Sequence, residues 1–343
     1  MGRGRQCVSV PHSRLVPLTF QSNSEIRPRP RWVSVFCSEK SPIVPQLFCS
    51  VMLIVKHRDF RGRRRGRVLN LGIRVQITCS LLDESRKLVQ PPLMPALERL
   101  KLTVAYDGRP FSGWQSQPNQ NGVQDHLKGA FLALLSEPVK LHGAGRTDSG
   151  VHALGQVAHV DVPQRKFNPA KWIAALNAHL PAQIRIIRCQ HASTRFHAQY
   201  SAVGKVYQYR LWNDPVFHPL EIGKSWHVPQ ILDLDTLQAA ADRLTGTHDF
   251  ASFAANRGKA VEATTRTIHQ IRVRRRKELI SMEFVGDGFL YRMVRMLTGA
   301  IVRVASGRAD LSWIDQLLST PGKTKASYTA PAEGLYLVKV EYR

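Results

Sequence analysis

Residues 266–306 read RTIHQIRVRRRKELISMEFVGDGFLYRMVRMLTGAIVRVAS. Arg266–Arg276 and Leu279–Val285 have the pattern of two strands joined as a hairpin. The period then changes. From about Phe289 to Ser306, Leu290, Met293, Leu297, Ile301 and Val304 recur at helical spacing, and Gly307 closes a long amphipathic helix. A hairpin followed by a helix is the building unit of an α+β protein.

Working outward, the same unit recurs. Upstream, Lys205–Trp212 alternates as a strand, and Asp233 caps a helix carrying Leu234, Leu237, Ala241 and Leu244 that ends at Gly246. Further upstream, Leu100, Leu102 and Val104 alternate with polar neighbours, and the loop Asp107-Gly108-Arg109-Pro110 ends that strand. Val123, Leu127, Phe131, Leu134 and Leu135 follow at helical spacing behind a cap region at Asn121. Strands are expected at Gln156–Val162 and Ile184–Cys189, with a helix opened by Asn168-Pro169 between them. Downstream lie a short helix, Leu311–Ser319, and a last strand, Leu335–Tyr342. The order predicts an α+β fold in which two similar half-sized units, 94–200 and 201–343, share one mainly antiparallel sheet with helices on one face.

Charge divides the chain differently. Lys and Arg number 49 against 25 acidic residues, a formal net charge of +24. Residues 1–93 hold 17 basic and 5 acidic groups, so about a quarter of the chain carries half of the excess. Such a balance points to a polyanionic partner or a basic tail, and argues against an acidic solvating chain. Residues 1–93 contain Arg27-Pro28-Arg29-Pro30-Arg31 and Arg61-Gly62-Arg63-Arg64-Arg65-Gly66-Arg67 but little sustained periodicity. Three readings compete: a nucleic-acid arm, an organelle transit peptide, and a disordered or spuriously translated extension with Met94 as the natural start. The longest apolar run, Leu47–Val55, is about half of the ~20 residues a spanning helix needs, so no membrane segment is expected. Four of five cysteines fall in this segment and only Cys189 in the rest, as in a reduced, cytoplasmic protein.

The stretch with most chemistry is His142-Gly143-Ala144-Gly145-Arg146-Thr147-Asp148-Ser149-Gly150-Val151-His152. Its glycines allow close approach of backbone to a ligand, and Arg146 lies two residues from Asp148. An ionised, oriented Asp148 is a candidate nucleophile or base; the plainer reading is an Asx-turn. The spacing is neither a P-loop nor a dinucleotide fingerprint. His142, Asp148 and His152 are conceivable metal ligands but lack metal-site spacing. Tyr207 and Tyr209 share one face of their strand, either as a stacking surface for an unstacked base or as core packing. Arg295, near the apolar face of its helix, either snorkels to solvent or pairs with a buried carboxylate, for which Asp148 is the candidate. Arg272, Arg274, Arg275, Arg276 and Lys277 crowd one hairpin, as a phosphate-binding surface or a solvated tip.

GAGRTDSGVHALGQV closely resembles the signature loop of the tRNA pseudouridine synthase A (TruA) family. LTVAYDG, FSGWQSQPN, GVQDHL, FHAQYSAVGKVYQYRLWN, HDFASF, TRTI, FLYRMVRMLTGAIVRVASGR and APAEGLYLVKV resemble its other motifs in order, across about residues 97–343. The resemblance implies an isomerase converting uridine to pseudouridine at positions 38–40 of the tRNA anticodon stem-loop. It implies no organic cofactor and no metal. It puts the catalytic nucleophile on Asp148, the active-site tyrosine on Tyr207, the active-site arginine on Arg295 and an RNA-contacting arginine on Arg146. It further implies a catalytic cleft between the two α/β subdomains, tRNA as partner, and a homodimer. The competing readings are a non-catalytic RNA-binding protein gripping through the arginine-rich arm, and a metal-dependent hydrolase using His142, Asp148 and His152.

Overall fold

The computed structural model describes residues 96–164, 166–255, 263–326 and 328–343. The expectations for residues 1–93 lie outside the described residues. Those described belong to one compact unit, Arg86–Arg343. The first half contributes β1 (Leu97–Tyr106), α1 (Val123–Leu135), β2 (Leu141–Gly143), β3 (His152–Pro163), α2 (Pro169–His179) and β4 (Ile184–Ala192). The second half contributes β5 (Ala202–Trp212), β6 (Trp226–His227), α3 (Leu234–Arg243), β7 (Gly246–Asp249), β8 (Thr265–Arg276), β9 (Leu279–Gly286), α4 (Met293–Ala305), α5 (Leu311–Ser319) and β10 (Leu335–Tyr342).

Local chemistry explains most boundaries. Asn168 Oδ1 accepts from the Lys171 amide at 2.9 Å, with Pro169 at the first position of α2. Asp233 Oδ2 accepts from the Thr236 amide at 2.8 Å and caps α3. In α1 the cap falls one residue later than Asn121. Gly122 is the cap, and Asp125 Oδ2 reaches back to accept its N–H at 3.0 Å.

All ten strands of the described residues form one sheet. Its main path runs β4-β1-β3-β10-β5-β9-β8-β7, with β2 beside β3 and β6 beside β5. The α+β class and the mainly antiparallel sheet are as the pattern predicts. One parallel ladder matters most: β10 lies beside β3, with Tyr336 opposite His152 and Leu337 opposite Ala153. On its other edge β10 runs antiparallel to β5, where Leu337 faces Tyr207. β10, the last strand of the chain, thus joins the sheet of the first half to that of the second. β3 is buried at nearly every position, which is why only its later part shows as a strand in the pattern.

α1 packs on α2, which lies along β4, while α3 packs on β8, α4 and α5. Leu102, Leu127, Trp172, Leu237, Phe284 and Leu297 are fully buried core residues. No helix among the described residues is long and apolar enough to cross a membrane.

The expected long helix starts later than its periodicity suggests. α4 begins at Met293, not Phe289, because Arg292 adopts a left-handed backbone (φ 58°). The Met293 amide donates to Leu290 O at 3.1 Å, closing a turn ahead of the helix. Arg292 and Arg295 therefore do not share a helix face, and Phe289 and Arg292, ahead of the helix, line a cleft.

Candidate active site

Asp148 sits on the loop between β2 and β3. That loop is held from several sides. The Trp114 amide donates to Thr147 O at 3.1 Å, the Val151 amide to Asp148 O at 3.2 Å, and Ser149 Oγ to Phe111 O at 3.1 Å. Thr147 is buried, and its hydroxyl shares a 2.8 Å hydrogen bond with Tyr106. Gly113, at φ +98°, passes so near that a Cβ there would lie 2.6 Å from Thr147 O. The carboxylate is thus placed by backbone and side-chain contacts of its neighbours in the loop.

Arg295, on the first turn of α4, meets it. Nη1 donates to Asp148 Oδ2 at 3.3 Å, with the two side chains 13% and 17% exposed. The guanidinium is itself fixed, since Nε donates to Ala330 O at 2.7 Å while the Ala330 amide donates to Arg295 O at 3.1 Å. Of the two readings of Arg295, the structure selects the ion pair.

Tyr207 lies on β5 facing the same cleft and is 8% exposed. Its ring meets Phe289 edge to face at 5.1 Å. Burial, then Tyr106 and Asp148, push its hydroxyl above the ordinary tyrosine range, so it remains a neutral donor. Tyr209 shares that face but is fully buried, donating to Pro331 O at 2.7 Å. The stacking reading therefore remains for the first tyrosine and the core reading holds for the second. Arg146 is exposed at the cleft mouth.

The structure also lines the cleft with residues not singled out in the sequence. Lys205 and Phe289 are the principal ones. Lys205 had a signal, being on the same strand face as Tyr207. Phe289 had none, because its place depends on the left-handed turn at Arg292.

The hydrolase triad is not assembled. His152 accepts from the Gly108 amide through Nδ1 at 3.2 Å and is within 3.1 Å of Gly223 O through Nε2. His142 instead stacks on His159, centroids 4.9 Å apart, beside His197. Among the described residues no three His, Cys, Asp or Glu side chains are grouped to hold a metal ion.

An ion-paired carboxylate, a buried tyrosine and the cations Arg146, Lys205 and Arg292 thus line one cleft beside the β3, β10 and β5 ladders of the sheet. A family model described as tRNA pseudouridine synthase matches residues 102–201 and 240–343, and the chain belongs to that family. It is an isomerase acting on tRNA. The chain is 44% identical over 253 residues to tRNA pseudouridine synthase A of Akkermansia muciniphila, covering 72% of this chain and 96% of that one. It is 43% identical over 245 residues to tRNA pseudouridine synthase A 1 of Protochlamydia amoebophila, covering 71% and 95%. It is 40% identical over 242 residues to tRNA pseudouridine synthase A of Methylacidiphilum infernorum, covering 71% and 94%.

Proposed function

We propose that the chain isomerises uridine to pseudouridine at positions 38–40 of the tRNA anticodon stem-loop, with Asp148 as nucleophile. The observation that carries this is the Asp148–Arg295 ion pair in a cleft also lined by Tyr207. A uridine in or beside a stem must first leave the stack, at a cost of a few kcal/mol. Tyr207, neutral and edge-packed on Phe289, offers a ring for the extruded base. Asp148 attacks C1′ of the sugar, and the C1′–N1 bond breaks as the ester forms. The uracil turns in place, C5 bonds to C1′, and the C1′–oxygen ester bond breaks to return the Asp148 carboxylate. The C5 proton leaves and N1 ends protonated, so atoms balance without an oxidant or reductant. Arg295 holds the carboxylate in line throughout. Arg146, at the mouth, contacts the RNA backbone.

In this reading residues 94–200 and 201–343 act as two subdomains around the cleft, the protein works as a homodimer, and it resides in the cytoplasm with the tRNA pool. The test is incubation of the full chain with unmodified tRNA bearing uridines at 38–40, in chelator, followed by pseudouridine mapping. New pseudouridine at those positions that is absent with Asp148→Asn supports the reading. Product from Asp148→Asn at a near-normal rate overturns the role of Asp148. Tight binding without product moves the chain to the RNA-binding alternative.

A further inference from the structure

Among the described residues Lys205 is a cation without a counter-ion, set in the cleft that holds Asp148. It lies two residues before Tyr207 on the same face of β5. Its Nζ fills the space above Gly145, where a Cβ would come within 2.9 Å of it. Burial lowers its pKa from the ordinary lysine value, Arg266 lowers it further, and no carboxylate opposes either effect. Among the described residues it makes no hydrogen bond or ion pair. Arg266 is similar: its Nη1 donates only to backbone, to Ala263 O at 3.0 Å and Thr265 O at 2.6 Å.

The topology puts the two cations on one face of the sheet, two strands apart. Lys205 faces Gly286 across the β5–β9 ladder, and Gly286 faces Ile268 across β8–β9. Arg266 lies two residues from Ile268, on the same strand face. A desolvated cation beside a second cation costs stability in the free protein. An anion placed between them offsets that cost, and a phosphodiester is the anion a substrate RNA brings.

We propose that Lys205 and Arg266 form a phosphate subsite for one phosphodiester beside the target uridine, holding the extruded nucleotide over Asp148. This rests on the functional reading above and makes Lys205 a positioning residue rather than a catalytic one.

The test compares the full chain with Lys205→Gln, Lys205→Arg and Arg266→Gln, using an unmodified anticodon stem-loop RNA. In Lys205→Gln, KM or Kd should rise about tenfold or more, as for a lost charged hydrogen bond. The slope of log Kd against log salt should fall by about one, and kcat should change little. Lys205→Arg should restore most of the affinity. The RNA-free Lys205→Gln protein should melt no lower than wild type, because a strained charge has gone. RNAs carrying a single neutral methylphosphonate should locate the phosphate: one position next to the target weakens wild-type binding but has no further effect on Lys205→Gln.

An unchanged salt slope and the same methylphosphonate profile in Lys205→Gln overturn the subsite. So does a lower melting temperature with parallel loss of kcat and affinity, the mark of a structural role. Inorganic phosphate is the control for a free anion. If it protects wild type but not Lys205→Gln while the methylphosphonate scan is flat, the site takes free phosphate and the RNA assignment fails. Wild type that makes no pseudouridine overturns the functional reading itself. Wild type that makes it while Lys205→Gln behaves identically overturns the subsite only.

Discussion

Arg295 and Asp148, 147 residues apart in sequence, meet at 3.3 Å, and the arginine's remaining Nε is committed to Ala330 O at 2.7 Å. One guanidinium thus ties α4, the loop before β10 and the loop before β3 into a single arrangement. A lysine has a single donor centre and cannot bridge both acceptors in that fork geometry. Arg295→Lys should therefore slow single-turnover pseudouridine formation at least about tenfold while leaving RNA affinity within a few-fold. A rate equal to wild type would show that the fork is dispensable.

Tyr207 separates ring from hydroxyl. Tyr207→Phe keeps the packing against Phe289 and should bind RNA within a few-fold of wild type. Tyr207→Leu removes the aromatic face and should lose about 1–3 kcal/mol of binding, the usual worth of one base on one ring. Equilibrium binding of both variants to an anticodon stem-loop checks this; equal affinities for the two would remove the stacking role.

Two glycines give opposite expectations for the same substitution. At Gly299, inside α4, a Cβ would lie 2.4 Å from Tyr328 O, so Gly299→Ala pushes away the segment that leads to Ala330. It should cost about 1–3 kcal/mol of stability and reduce turnover through Arg295. At Gly129, in α1, a Cβ meets nothing within 4 Å. Gly129→Ala should stabilise by about 0.5–1 kcal/mol and leave activity unchanged. Thermal melts of the pair test the register of both helices.

His159 predicts an acid-sensitive window. It is 3% exposed, its Nδ1 accepts from the Ala198 amide at 3.1 Å, and burial lowers its pKa from 6.5 to about 4. Arg99, His197 and His142 push the same way, and only Asp161 opposes them. A folded-state value below the unfolded one means that the unfolded chain binds the proton first. The stability is present above about pH 6.5 and is lost as pH falls toward 4. His159→Asn keeps an acceptor for Ala198 but does not titrate there. Denaturant unfolding should show a pH slope in that window up to about 1.4 kcal/mol per unit shallower in the variant. Identical slopes would move the acid sensitivity to His152 and His197, which are shifted in the same direction.

Period and caps carried most elements. Asn168-Pro169 opened a helix because an Asx cap accepts one orphan amide, here that of Lys171, and a proline at the first position has no N–H to leave unpaired, wherever the two occur. The alternation of Lys205–Trp212 put Lys205 and Tyr207 on one face, enough to suggest the tyrosine, while the ladders that bring Arg266 onto that face were not legible in it. The start of α4 was not legible. A left-handed Arg292 leaves no mark on hydrophobic spacing, and it is this residue that turns Phe289 into the cleft. β7 and the two-residue β6 were too short to show a period.

What the sequence determined by itself is local: the strand and helix types, the glycine loop bearing Asp148, the excess of cations, and the motifs shared with the synthase family. Each rests on neighbours within one or two turns of chain. What only the tertiary structure decided is which distant groups meet. The seating of β10, parallel to β3 and antiparallel to β5, sets the Asp148 loop beside Tyr207, and Ala330 aims Arg295 at the carboxylate. Those placements depend on ladder register and on backbone carbonyls, which every residue carries alike, so no residue identity could announce them.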